Sequence, residues 1–203
     1  MNDINNVFIV DDDAAVRDAL VGQMEAAGYD VTSFPSAEKF LDFCTPGTMG
    51  CIILDVSMPN MDGPTLQDEL ADRRLKLPII FLSGQGSIPL TVRTMKAGAM
   101  DFLTKPVEGA VLRARVQEAL EQCAHQQTQE RISQAMSARL ASLTEREREV
   151  MMLAIAGYSS KEIALNLGIS FRTVETHRTR VIQKTGASNM LELAGIVNLQ
   201  DTK

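Results

Sequence analysis

Five short, mostly apolar runs in the first 120 residues constrain the fold of this chain more than any other feature. They occupy residues 7–10, 30–34, 51–54, 78–82 and 100–103, with helically patterned stretches between them. Runs that lack clean alternation of apolar and polar residues are typical of parallel strands buried on both faces. Strands that alternate with helices form βαβ units. We therefore predict an α/β domain with a doubly wound, five-stranded parallel sheet and five helices.

A second, all-helical domain is predicted in the last third of the chain. Neither Gly nor Pro occurs between Gly109 and Gly157, so the connecting segment is either one long helix or a broken one. The sequence Thr144-Glu145-Arg146-Glu147 fits a capping box, which marks a new helix start. We predict an α/β domain at residues 1–122, a helical linker at 123–139 and an all-α four-helix domain at 140–203.

The two predicted domains differ in charge. The chain of 203 residues has a net charge of −6. Residues 1–138 carry 11 Lys and Arg against 19 Asp and Glu, a net of −8, whereas residues 139–203 carry 9 against 7, a net of +2. We expect the acidic part not to bind nucleic acid, whereas the mildly basic part can bind it if its cations share one face.

The sequence favours a cytoplasmic protein with no membrane partner. The polar start at residues 1–6 lacks the layout of a signal peptide, and no apolar run approaches the roughly 20 residues of a membrane span. The three cysteines, Cys44, Cys51 and Cys123, show no metal-binding or disulfide spacing. We therefore expect the cysteines to be reduced.

Polar side chains stand at the ends of four predicted strands. Three acids follow the first strand, Asp55 ends the third, Ser83 ends the fourth and Lys105 follows the fifth. The carboxyl ends of parallel strands share one edge of the sheet, where ligands bind in open α/β folds. We expect the first and third strands to be neighbours, which would place Asp11 and Asp12 beside Asp55.

Such a carboxylate cluster predicts a Mg²⁺ site that also accepts a phosphoryl group. Two carboxylates about 4 Å apart repel by roughly 4 kcal/mol at an effective dielectric of 20, and a hard cation relieves this. A carboxylate can itself be the nucleophile, giving an aspartyl phosphate. Lys105 would then offset charge on the transferring oxygens. Asp13, directly before a helix, is interpreted as a cap rather than a ligand.

Five motifs in order carry a family resemblance. They are Val10-Asp11-Asp12-Asp13, Leu54-Asp55-Val56-Ser57-Met58-Pro59-Asn60-Met61-Asp62-Gly63, Leu82-Ser83-Gly84, Lys96-Ala97-Gly98-Ala99 and Phe102-Leu103-Thr104-Lys105-Pro106. Over about residues 5–122 the chain resembles the flavodoxin-like receiver domain of bacterial two-component response regulators. The resemblance implies that a sensor histidine kinase phosphorylates Asp55. It also implies Mg²⁺ bound by Asp12 directly, by Asp11 through water, by Asp55 and by the carbonyl of Ser57.

The same resemblance implies a switch. Lys105 would bond the phosphoryl group, Ser83 would move towards that group, and the ring of Phe102 would turn inward. Ser83 stands where Thr is commoner in the family, and Phe102 where Tyr is common. The bond between Lys105 and Pro106 is commonly cis in this family. Helices at about 88–97 and 108–120 would be the readout face.

A helix–Gly–helix pattern predicts a helix-turn-helix in the second domain. Gly168 separates a helix at about 161–167 from one that Ser170 opens and that runs to about Thr185. With Val174 and Val181 inward, a polar and partly basic set faces outward. Residues 161–184 carry five Lys and Arg against two Asp and Glu, a net of +3.

The second domain is similar to the LuxR-type four-helix DNA-binding domain. The matching stretches are Leu143-Thr144-Glu145-Arg146-Glu147-Arg148-Glu149-Val150, Gly157, Lys161-Glu162-Ile163-Ala164, Ile169-Ser170, Thr173-Val174-Glu175-Thr176-His177 and Lys184-Thr185-Gly186-Ala187. With the receiver, the whole chain resembles the FixJ branch of response regulators. The resemblance implies that the helix after Ser170 enters the major groove.

Two sets of contact residues follow from the LuxR resemblance. The base-edge candidates are Glu175, Thr176 and Thr179. The phosphate candidates, which position rather than specify, are Lys161, Arg172, Thr173, His177, Arg178, Arg180 and Lys184. His177 is equally compatible with a partly buried packing role, and Arg178 leans towards the inner side of its helix.

The sequence therefore predicts a phosphorylation-dependent, sequence-specific transcription regulator in the bacterial cytoplasm. Phosphorylation of Asp55 is expected to promote a homodimer that binds double-stranded promoter DNA, with RNA polymerase as a further partner. The chemistry of the protein itself would be limited to autophosphorylation from phosphodonors and autodephosphorylation. The alternatives are an aspartyl-phosphate phosphatase, which Asp11 and Asp13 superficially suit, and a DNA-binding protein with a vestigial receiver. Ala14 and Ala15 stand where such phosphatases usually have a Thr, which disfavours the first alternative.

Overall fold

The computed structural model describes residues 4–84 and 87–200, with side chains described up to Val197. The chain divides into two compact units, residues 1–128 and 129–203. The strands of the first unit are β1 (Asn6–Val10), β2 (Asp30–Phe34), β3 (Cys51–Asp55), β4 (Ile79–Ser83) and β5 (Asp101–Thr104). The helices between them are α1 (Ala14–Glu25), α2 (Ala37–Phe43), α3 (Gly63–Asp72) and α4 (Ile88–Lys96). Helix α5 (Gly109–Ala141) follows β5.

All five strands are parallel and lie in the order β2-β1-β3-β4-β5. The predicted doubly wound sheet is confirmed, and β1 and β3 are adjacent strands as expected. Val10 pairs with Leu54 across these two strands, and Ser83 pairs with Thr104 across β4 and β5. The carboxyl ends of β1, β3, β4 and β5 therefore meet at one edge.

Both faces of the three central strands, β1, β3 and β4, are buried, which explains their continuous apolar runs. Alternate residues of β1 pack on opposite sides, Phe8 and Val10 with α2 and α3, and Val7 and Ile9 with α1 and the first turns of α5. The residues of β3 and β4 are all buried. A sheet covered on both sides has no solvent-facing row, so the strands show no alternation of apolar and polar residues.

Helix α5 runs without a break for 33 residues, so the connecting segment is one helix rather than two. The division between the two units falls inside it, after Thr128. The predicted domain boundaries at residues 122 and 139 stay predictions. The outer ends of the two predicted domains, residues 1–3 and 201–203, lie outside the described residues.

The second unit contains four further helices in the part of the chain that is described. They are α6 (Glu145–Ile155), α7 (Ser160–Leu167), α8 (Phe171–Thr185) and α9 (Met190–Gln200). The predicted capping box is present, because Thr144 Oγ1 accepts from the Glu147 amide and Glu147 Oε2 accepts from the Thr144 amide. A second capping box at Ser159 and Glu162 opens α7. Val150, Ile163 and Val174 form a fully buried contact between α6, α7 and α8.

Glu147 also forms an ion pair inside this unit. Its carboxylate is 2% exposed and accepts from Lys184 Nζ at 2.6 Å. The hydrogen bond from Lys184, with that from the Thr144 amide, lowers the pKa of Glu147 to about 2 from an ordinary value of 4.5. A buried carboxylate that stays charged in this way ties α6 to the end of α8.

We expect Glu147 to make the stability of the second unit depend on pH. A carboxyl whose pKa is lower in the folded state stabilises fully above the unfolded pKa, and this contribution disappears as the pH falls from about 4.5 towards about 2. Because Lys184 is partly exposed, the contribution should be on the order of 2 kcal/mol at pH 7. Hydrogen exchange in α6 and α8, measured from pH 7 to pH 2.5, should show wild type losing its advantage over Glu147→Gln. A difference that stays constant with pH would contradict this.

Candidate functional site

Three charged side chains meet at the carboxyl edge of the sheet. Asp11, at the end of β1, and Asp55, the last residue of β3, are 2% and 8% exposed. Lys105, directly after β5, places its Nζ 2.7 Å from Asp11 Oδ2 and 2.5 Å from Asp55 Oδ1. The predicted convergence of these strand ends is therefore present, with one ammonium group bridging two buried carboxylates.

Backbone groups hold the second oxygen of each carboxylate. Asp11 Oδ1 accepts from the Asp13 amide at 2.9 Å, and Asp55 Oδ2 accepts from the Ser57 amide at 2.7 Å. The Asp13 side chain caps α1 by accepting from the amide of Ala15 at 2.8 Å. This is the capping role expected of Asp13, and it engages that carboxylate with helix α1. Asp12 follows Asp11 in the chain, and its side chain is exposed.

Burial and charge together shift two pKa values in the pocket. Burial raises the pKa of Asp55, while the hydrogen bond and the charge of Lys105 oppose that rise. Burial alone would lower the pKa of Lys105, but Asp11 and Asp55 outweigh it and raise this pKa. Lys105 therefore stays protonated at neutral pH and acts as a fixed positive charge beside Asp55.

The donor chemistry of the pocket suits Mg²⁺. Asp11 and Asp55 bring two carboxylates to one ammonium group, which leaves an excess of negative charge at the sheet edge. No cluster of three or more His, Cys, Asp and Glu side chains that could hold a metal ion occurs within residues 4–84 and 87–200. Mg²⁺ commonly takes only one or two carboxylates and completes its shell with waters and phosphate oxygens. The residues present therefore fit this ion.

The two residues of the expected switch lie on the neighbouring strands. Ser83, the last residue of β4, is 3% exposed, and its carbonyl accepts from the Lys105 amide at 2.7 Å. Phe102 in β5 is half-buried, with its ring centroid 6.1 Å from that of Phe81. The peptide bond between Lys105 and Pro106 is cis. The Ser83 backbone is therefore bonded to that of Lys105, and Phe102 lies three residues before Lys105 in the chain.

Two further residues that shape the pocket were not assigned a role from the sequence. Arg17 in α1 donates through Nη1 to the carbonyls of Asp11, at 2.7 Å, and Asp12, at 2.9 Å. A Cβ atom on Gly63 would lie 2.4 Å from the Asp55 carbonyl oxygen and 2.9 Å from the Phe81 ring. A cation soon after a strand end and a Gly at a helix start are weak signals, because both are common in sequences that bind nothing.

The helix-turn-helix of the second unit has the predicted layout. Helix α7 ends at Gly168, whose φ of 64° is in the left-handed region that favours Gly. Ser170 Oγ then accepts from the Thr173 amide at 3.1 Å and caps α8. Val174 and Val181 are fully buried. The opposite side of α8 therefore does not pack against the core of the domain.

The exposed side of α8 carries most of the predicted contact residues. Those exposed on α8 are Arg172, Thr173, Glu175, Thr176, Thr179 and Arg180. Lys161, on α7, is also exposed. Among residues 4–84 and 87–200, no ion-pair partner is found for Lys161, Arg172 or Arg180. These three cations are therefore available to neutralise phosphates.

Three of the predicted phosphate contacts have partners or burial within the domain. Lys184 Nζ donates to the Glu147 carboxylate at 2.6 Å and to the Ser142 carbonyl at 3.2 Å. Arg178 is half-buried and donates to Ser160 Oγ at 3.3 Å. His177 is half-buried, and its Nδ1 has no hydrogen-bond partner among the described residues. Lys184 and Arg178 therefore make contacts inside the domain and His177 is partly buried, whereas phosphate contact by any of the three stays a prediction.

The comparison with protein families identifies both units. The model of the response regulator receiver domain matches residues 7–117, and that of bacterial regulatory proteins of the luxR family matches residues 141–197. The chain belongs to the response regulator family. Because its second domain is of the LuxR type, this response regulator is a transcription regulator rather than a classical enzyme.

Similar proteins match this response regulator along nearly its whole length. The transcriptional regulatory protein FixJ of Bradyrhizobium diazoefficiens is 40% identical over 199 residues, covering 95% of this chain and 97% of that protein. TdiR of Thauera aromatica is 42% identical over 193 residues, covering 95% and 85%. The structure of the response regulator StyR, at 38% identity, has a TM-score of 0.87 and covers 95% of this chain and 98% of that one. The predicted FixJ-type architecture is therefore confirmed.

Within residues 4–84 and 87–200, no helix combines the length and the hydropathy that a membrane-spanning helix requires.

Proposed function

We propose that a sensor histidine kinase phosphorylates Asp55 and that this event promotes homodimerisation and binding to promoter DNA. The bridge from Lys105 Nζ to Asp55 and Asp11 carries the proposal. One oxygen of Asp55 forms a bond to phosphorus as the bond between phosphorus and the kinase histidine breaks. Lys105 is already placed to receive the negative charge that the phosphoryl group brings.

A Mg²⁺ ion would be held by Asp12 directly, by Asp11 through water, by Asp55 and by the carbonyl of Ser57. When bound, the ion offsets negative charge on the phosphoryl oxygens. Arg17 supports this arrangement, because its hydrogen bonds fix the backbone that carries the first two carboxylates. Charge balance supports the ion as well, since Lys105 alone does not neutralise the pocket.

The response to phosphorylation would start at Ser83 and Phe102. A new hydrogen bond from Ser83 to the phosphoryl group contributes about 1 kcal/mol, enough to shift a two-state packing of the Phe102 ring several-fold. The half-buried position of Phe102 beside Phe81 is compatible with such a movement. The changed surface of α4, β5 and the start of α5 would then favour a two-fold dimer.

DNA binding would use α8 in the major groove. Glu175, Thr176 and Thr179 would contact base edges, and Lys161, Arg172, Thr173 and Arg180 would contact phosphates. A dimer places two such helices on half-sites about one helical turn apart, which raises affinity through effective concentration. We further propose a receiver domain at residues 1–122, a linker at 123–139, a DNA-binding domain at 140–203, RNA polymerase as a partner, and a location in the bacterial cytoplasm.

Phosphoryl uptake tests the proposal. Incubation of the full-length chain with acetyl phosphate and Mg²⁺ should increase its mass by one phosphoryl group and shift it to a dimer in sedimentation. Chelation of Mg²⁺ before addition of acetyl phosphate should prevent both changes. A chain that gains no mass with Mg²⁺ present would instead have a vestigial receiver.

We expect Arg180→Ala to flatten the salt dependence of DNA binding. Each lost phosphate contact removes about one released counterion, so the slope of log K against log salt should fall in magnitude by about 1 per bound subunit. Titrations at several salt concentrations measure this slope. Arg146→Ala is the matched control, because Arg146 pairs with Glu149 on α6 and should leave the slope unchanged. Equal slopes for wild type and Arg180→Ala would exclude Arg180 as a phosphate contact.

A further inference from the structure

Phe171 is an exposed aromatic residue at the start of α8. It directly follows the capping residue Ser170, and 51% of its surface is exposed. It belongs to neither apolar cluster of the second unit, whereas Val174, one turn further, is fully buried. The core of the domain therefore leaves about half of this large apolar side chain uncovered.

Phe171 lies at the border between the buried side of α8 and the side that carries the proposed DNA contacts. Phe171 and Glu175 are four residues apart and so are neighbours on one helix face, and both are exposed. Side chains of a helix tilt towards its N-terminus, so the ring of Phe171 projects past the first turn. In helix-turn-helix domains the N-terminal residues of the second helix contact base edges.

Phe171 offers DNA only apolar surface. It can make no hydrogen bond to a base edge and cannot neutralise a phosphate. The apolar feature of the major groove is the C5-methyl group of thymine, which apolar side chains such as Phe contact. We propose that Phe171 reads a thymine in each half-site through this methyl group. This inference rests on the proposed role of α8 in DNA binding and adds a residue that specifies the sequence.

Selection of binding sites tests the inference with the full-length protein. Wild type, treated with acetyl phosphate and Mg²⁺, should select a motif from random double-stranded DNA with a thymine at one position of each half-site. Phe171→Ala should lose the preference at that position and keep it elsewhere. Leu165→Ala, which removes an 84% exposed side chain from α7, is the control and should select the wild-type motif.

A duplex in which deoxyuridine replaces that thymine isolates the methyl group. Wild type should bind this duplex roughly fourfold more weakly per half-site, the effect of uncovering one methyl group. Phe171→Ala should bind both duplexes equally, and Phe171→Leu should retain part of the discrimination. Circular dichroism of each variant checks that α8 still forms.

Four outcomes would overturn the inference. If Phe171→Ala selects the wild-type motif with wild-type affinity, the ring is merely solvated. If Phe171→Ala weakens all sequences alike, or if deoxyuridine weakens both proteins equally, the ring does not read a methyl group. If wild type selects no motif, the proposed DNA-binding function fails, and this inference fails with it.

Discussion

Asp55→Asn is expected to abolish phosphoryl uptake from acetyl phosphate and to remove the phosphorylation-dependent rise in DNA affinity. An amide has nearly the shape of the carboxylate and can still accept from the Ser57 amide, but it carries no charge and is not a nucleophile for phosphorus. Dimerisation that raises the effective concentration of α8 should improve affinity about 100-fold or more in wild type. Mass measurement and DNA titration, each with and without acetyl phosphate, report both effects.

Asp62→Asn is the matched control for this experiment. Asp62 caps α3 by accepting from the Thr65 amide at 2.8 Å, and Asn caps a helix about as well as Asp. This variant should take up one phosphoryl group and gain DNA affinity as wild type does. Uptake of a phosphoryl group by Asp55→Asn would show that another residue is the acceptor and would contradict the proposed function.

Gly63→Ala is expected to destabilise the receiver domain by about 2 kcal/mol and to slow phosphorylation. The added methyl group would lie 2.4 Å from the Asp55 carbonyl oxygen, which is backbone and can move only if the end of β3 moves. Overpacking of this kind typically costs about 1–3 kcal/mol. Urea unfolding followed by circular dichroism measures the stability, and the rate of mass increase with acetyl phosphate measures the displacement of Asp55.

Gly22→Ala separates the clash from the general effect of replacing Gly. Gly22 lies within α1 with no atom within 4 Å of the position of an added Cβ. Ala there should stabilise the protein by roughly 0.5–1 kcal/mol, because Gly is the poorer helix former. If Gly63→Ala were as stable as wild type, the helix α3 would shift without cost, and the close approach would not be a constraint on the pocket.

The pocket could be predicted because its residues follow from strand order. A chain that buries both faces of a parallel sheet must place the residues after each strand at one edge. Asp11 and Asp55 therefore come together once β1 and β3 are neighbours, and Lys105 joins them from β5. The capping box at Thr144 was equally predictable, since it depends on only four consecutive residues.

Contacts between separate elements could not be predicted in the same way. Lys184 and Arg180 lie four residues apart on one helix, and the sequence offers no reason to treat them differently. Only the packing of α6 against α8 brings Glu147 to Lys184 and leaves Arg180 without a partner among the described residues. Arg180 and Lys184 thus differ in availability because Glu147, which is distant in the sequence, forms its ion pair with Lys184.

Local patterns in the sequence by themselves determined the strands, the helix starts, the acidic edge and the helix-turn-helix, because each depends on periodicity or on neighbours along the chain. The tertiary structure alone decided that α5 is continuous, that Arg17 holds the backbone of Asp11 and Asp12, and that Gly63 must lack a side chain. The position of Phe171 outside the core belongs to this second group. The physical reason is that packing distances between elements depend on every side chain that fills the space between them.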